Sequence, residues 1–162
     1  MAERKKRITG RLVRSEVLSI RFDPRLRYLA ELAARKQRRA VSSFVEWAVQ
    51  DSLNRVFLQE DRDSHRSVAE EASILWDVDE ADRFVKLALR YPDLLTHDEQ
   101  VLWKVIRETG YVWKGQPDQK GRWVFNPSED TLVMGHLREY WEDFKKVARG
   151  EADRSILPKG TG

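Results

Sequence analysis

The chain has 162 residues and no cysteine, with 35% of its residues charged and 41% hydrophobic. That length suits one ordinary domain or two small ones, and the absence of cysteine excludes disulfides and thiolate metal sites. The net charge of +3 is unevenly placed: residues 1–40 hold 13 lysines and arginines against 4 acids, a local +9, while residues 41–162 carry −6. A basic head on an acidic body is the distribution of a polyanion-binding module with a separate body. No apolar run approaches the roughly 18 residues that span a bilayer, so a soluble, membrane-free protein of a reducing cytoplasm is expected. The basic start, MAERKKRITGRLVRSE, lacks the apolar segment of a secretory signal.

Residues 1–14 read as a basic arm containing Lys5, Lys6, Arg7, Arg11 and Arg14. Next, Leu18, Ile20 and Phe22 alternate with Val17, Ser19 and Arg21, which predicts a strand with one apolar face. Such a strand is unstable alone, because its edges and its apolar face both need cover. The same strand of a second copy supplies that cover. Asp23 then suits an N-cap and Pro24 the first helical position. The first helix runs to about Lys36, with Leu26, Leu29, Ala30 and Ala33 on one stripe and Leu32 on its flank. After the basic turn from Gln37 to Ser43, Phe44, Val45, Ala48, Val49, Ser52, Leu53 and Val56 form a second helical stripe. A stripe of this kind is core far more often than a ligand site.

Strand, helix, helix with a basic surround, from Val17 to Phe57, resembles the ribbon-helix-helix DNA-binding family of Arc, MetJ and CopG-type repressors. The resemblance implies a homodimer whose two strands form an antiparallel ribbon in the major groove. Carried over from the family, Val17, Ser19 and Arg21 face the bases. Arg21 is the candidate for a bidentate contact to guanine, Ser19 donates or accepts, and Val17 touches a thymine methyl or nothing. Arg38 and Arg39 hold DNA phosphate with the free N–H groups of Val41, Ser42 and Ser43 at the second helix's start, and the basic arm adds to the hold. The dimer core comprises Leu18, Ile20, Phe22, Leu29, Phe44, Val45, Ala48, Val49 and Leu53. Two features depart from the family pattern. Val17 stands where a polar residue is frequent, and the turn lacks the usual glycine. Ala40 lies near the cap position, which leaves Ser42 or Ser43 to cap. A helix-turn-helix reading fits less well, because Glu46 and Asp51 would then face phosphates and the strand would have no role.

Residues 59–73, with almost no apolar side chains, read as a linker or a solvated helix extension and as the domain boundary. From Ile74 the chain is rich in aromatics, including Trp76, Phe84, Trp103, Trp113, Trp123 and Trp141, and these are expected to form a core. Asp79 to Tyr91 reads as a helix stopped by Pro92, and Thr96 with Glu99 as a capping box opening another that Gly110 ends. Residues 111–114 and 122–125 read as a hairpin, with Trp113 or Trp123 as a candidate partner anchor. One long last helix is expected from Asn126-Pro127-Ser128 through Val147, then a frayed tail over 151–162.

The expected fold is therefore mainly α: a ribbon-helix-helix head over 15–58, then a small α+β domain of about three helices and a hairpin over 74–150. No metal spacing among His65, His97 and His136, no phosphate loop and no nucleophile motif is present, so no enzyme and no cofactor is expected. The partners expected are double-stranded DNA, a second copy or a higher oligomer, and a protein on 74–150. A transcriptional repressor is the leading function, in a nucleoid-associated setting. An antitoxin, or an accessory of a plasmid relaxosome or of partition, is the alternative.

Overall fold

The computed structural model describes residues 18–61 and 64–159. It is mainly helical, with seven α-helices and two antiparallel strand pairs among the described residues. The chain divides into two units after Asp51.

In the first unit, α1 spans Pro24–Lys36 and α2 spans Val41–Leu53. Asp23 caps α1, its Oδ1 accepting from the N–H groups of Arg25 at 2.9 Å and Leu26 at 3.0 Å. The helix closes by a paired device: Arg39 N–H donates to the Ala34 carbonyl at 2.9 Å, and Arg38 N–H donates to that of Arg35 at 3.0 Å. This pairing places one residue in the left-handed region, normally glycine. Here it is Arg38, at φ 55°. Because the turn finishes there, α2 starts at once, with Phe44 N–H donating to Ala40 at 2.9 Å. Ser42 and Ser43 therefore lie inside the first turn, and neither is the expected cap. Leu18 to Phe22 form no strand, and no strand among the described residues pairs with them.

The second unit differs from expectation at its start. The proposed linker over 59–73 instead contributes to a hairpin, β1 (Phe57–Asp61) with β2 (Ser64–Ser67), and then to α3 (Val68–Leu75). Its polar composition had hidden local signals: Ser67 and Glu70 form a reciprocal capping box that starts α3. Next come α4 (Glu80–Arg90), capped by Asp79, and α5 (His97–Glu108), opened by the Thr96–Glu99 capping box. Residues 110–112 form a 3-10 turn, so the next hairpin is later and shorter than expected: β3 (Gly115–Pro117) with β4 (Trp123–Phe125). A Cβ at Gly115 would lie 2.5 Å from the Val124 carbonyl, so glycine is needed where the strands meet.

The expected long last helix is two helices, α6 (Met134–Glu139) and α7 (Trp141–Ala148). Residues 126–131 make a turn in which the Thr131 hydroxyl donates to the Asn126 carbonyl at 2.6 Å, which delays the helix past Val133. The core of this unit gathers Phe84, Trp103, Ile106, Val112, Trp113, Leu137, Trp141 and Phe144. The tail is not frayed through its described length. Leu157 is buried in that core, and Arg154 pairs with Glu108 at 2.6 Å.

Candidate nucleic-acid interface

In the first unit the apolar residues assigned to a dimer core stay largely in water. Leu18 is 81% exposed and Ile20 53%; Leu29, Val49 and Leu53 are exposed too. Phe22, Phe44, Val45 and Ala48 are half-buried. No residue of α2 is buried, although its apolar positions sweep well over half of the helix circumference. Only Ala30 and Ala34 are buried on α1.

The polar candidates fall into two groups. Ser19 and Arg21 are exposed, ahead of the Asp23 cap. Arg38, Arg39, Val41, Ser42 and Ser43 are exposed together at the junction of α1 and α2. Val17, Lys5, Lys6, Arg7, Arg11 and Arg14 lie outside the described residues. One residue the sequence reading missed belongs to the second group. The Arg39 guanidinium lies 5.5 Å from the centre of the Trp47 ring, which itself leans on Phe44 with centroids 5.8 Å apart. Its signal was an aromatic on the edge of the apolar stripe, two helical turns beyond a flanking arginine. Arg27, by contrast, is tied to Glu31 at 3.2 Å.

No protein-family model, curated protein or solved structure matches the chain.

The second unit presents charges that are mostly spent on one another. Asp82 takes a two-pronged contact from Arg138, bridging α4 and α6, with Nε to Oδ1 at 2.9 Å. The Asp82 fork is the main reason the Arg138 pKa is raised. Lys86 donates to Asp77 at 2.8 Å and is the first cause holding that carboxyl below its ordinary range. Arg154 does the same for Glu108. Trp113, proposed as a partner anchor, is instead fully buried, with its Nε1 donating to the Ile106 carbonyl at 3.0 Å. Trp123 is half-buried. Trp76, counted as core, is 62% exposed. Among the described residues, no group of three or more His, Asp or Glu side chains could hold a metal ion, and no helix is long and apolar enough to cross a membrane.

Proposed function

We propose that the chain is a sequence-specific DNA-binding homodimer of ribbon-helix-helix type, acting as a transcriptional repressor. One observation supports this above others: α2 is apolar around most of its circumference, yet none of its residues is buried within the chain. An unpaired segment with Leu18 and Ile20 in water precedes the two helices. Both deficits are met by a second copy, whose strand pairs with this segment and whose helices cover α2. The resulting ribbon presents Ser19 and Arg21 to the major groove, while Arg38, Arg39 and the start of α2 meet phosphates.

The decisive experiment is selection of bound duplexes from a random DNA pool, repeated with Arg21→Ala. The wild-type chain should enrich a site with two-fold related half-sites. Arg21→Ala should relax preference at one position per half-site, at about 1–3 kcal/mol. A protein that enriches no sequence, or whose preference ignores Arg21→Ala, is not reading bases with this segment.

A further inference from the structure

The loop between α3 and α4 holds two apolar side chains out in water: Trp76 is 62% exposed and Val78 is 81% exposed. That loop is pinned. Lys86 donates to Asp77 Oδ2 at 2.8 Å, and Asp79 N–H donates to Asp77 Oδ1 at 3.1 Å. Arg83 Nη1 donates to the carbonyls of Asp77 at 2.7 Å and Val78 at 3.3 Å, and its guanidinium lies 4.9 Å from the centre of the Trp76 ring. Tryptophan and arginine are the side chains that anchor interfaces, and fixing them in advance removes most of the ordering cost of docking.

Beside the loop lies an open groove of about 800 Å³ among α4, α5 and α7, with Phe84, Leu87, Leu102 and Trp141 in its lining. Leu75 and Arg83, at the foot of the loop, belong to the same lining. A projection and a recess side by side on one surface are what a two-fold interface requires, since each copy must offer both. The rim charges agree with this. Glu80 is paired with Lys145 at 3.2 Å, Glu99 is engaged in the Thr96 capping box, and Arg149 reaches Glu151 at 3.9 Å. Arg83 and Asp98 have no ion pair among the described residues. They have opposite signs, stand on different helices and line the same groove.

We propose that this surface closes on the same surface of a second copy. Trp76 and Val78 of each copy seat in the other's groove, and Arg83 meets the partner's Asp98. This contact lies in the second unit and does not depend on the DNA-binding reading of the first.

The absence of cysteine makes a clean test, because added thiols are the only ones present. Full-length Val78→Cys protein is mixed with full-length His97→Cys protein and treated with a flexible bis-maleimide; His97 lines the groove. A mixed cross-linked dimer is expected. Adding Trp76→Ala to the Val78→Cys protein should cut its yield about tenfold, the loss of one anchor. Adding Arg83→Asp to that protein should do likewise, and Asp98→Arg in the His97→Cys protein should then recover part of the yield, the Arg83 bonds to the loop carbonyls staying lost. Restoration cannot come from a variant that merely unfolds. The proposal is overturned if no mixed dimer forms. It is equally overturned if the yield ignores Trp76→Ala, or if charge reversal lowers the yield and the second reversal recovers none of it. DNA affinity of the same variants is read separately, so failure here leaves the DNA-binding reading standing.

Discussion

The Arg39 guanidinium lies 5.5 Å from the Trp47 ring centre, so the cation just before α2 is held against that helix's own flank. A free arginine side chain has about 2 kcal/mol of rotamer entropy to lose on binding. An exposed cation–π contact offsets about 0.5–1 kcal/mol of it beforehand. On the DNA-binding reading, Trp47→Leu should therefore resemble Arg39→Ala. Affinity falls for all sequences alike, and the slope of log affinity on log salt flattens by up to about one. Anisotropy titrations across a salt series check this. The two changes together should lose no more than Arg39→Ala alone; fully additive losses would show that Trp47 acts elsewhere.

Arg38 occupies the left-handed region at φ 55°, where a Cβ costs about 1 kcal/mol. Arg38→Gly should raise stability by several tenths of a kcal/mol, the relief being partly cancelled by the freer unfolded chain. A β-branched Arg38→Val should lower stability by more than that. Urea unfolding measures both. If Arg38 also touches phosphate, Arg38→Gly should weaken DNA binding while stabilising the fold. That split would separate the residue's two roles.

Much of the helical skeleton was legible because its signals are local. Asp23-Pro24, Asp79 and the Thr96–Glu99 box each mark a helix start within four residues, and each helix begins where its cap stands. What was not legible depended on partners distant in sequence or on backbone geometry. The Trp113 side chain ends buried because its indole N–H finds the Ile106 carbonyl and its ring meets Trp103, 6.1 Å between centroids. Composition around Trp113 says nothing of either. The 59–73 segment looked like a linker because residues 59–67 are polar throughout and so carry no period-two apolar signal. The left-handed turn at Arg38 was invisible because no glycine announces it. At the candidate site, Arg38 and Arg39 were legible as charges, but the Trp47 platform was not, since a helix edge residue is assigned to core or surface only once the neighbour is placed.

Acid should destabilise the second unit through identifiable groups. Asp77 is held low first by Lys86 and then by the Asp79 N–H, Glu108 first by Arg154, and Asp118 first by the Arg122 N–H. A carboxyl whose folded pKa lies below its unfolded one stabilises the fold above the ordinary carboxylate range. That contribution is lost as pH falls through about 4 and below. The urea midpoint should therefore hold steady on these groups' account above about pH 5.5 and decline beneath it. Asp77→Asn should lower the midpoint at neutral pH and make the acid decline shallower. An unchanged decline would mean that Asp77 is not one of the groups responsible.

Glu71 is 1% exposed, with one carboxylate oxygen accepting from Arg66 Nη1 at 3.0 Å and the other fully buried. Burial, and then the nearby Glu71 carboxylate, push the Tyr91 hydroxyl pKa up. Two substitutions at this pair should differ in a telling order. Arg66→Ala leaves the buried carboxylate with no cation. The loss should be about 1–3 kcal/mol, below the cost for a fully buried pair because the Arg66 side chain is 55% exposed. Glu71→Leu removes the stranded charge and keeps apolar volume against α4, so it should cost less. The double variant should be no less stable than Glu71→Leu alone, since no carboxylate remains for Arg66 to neutralise. Urea unfolding of the three proteins at neutral pH checks the order. If Glu71→Leu proved the most damaging of the three, the shape and polarity of the glutamate would matter more than its charge pairing, and Arg66 would be a surface side chain of little consequence.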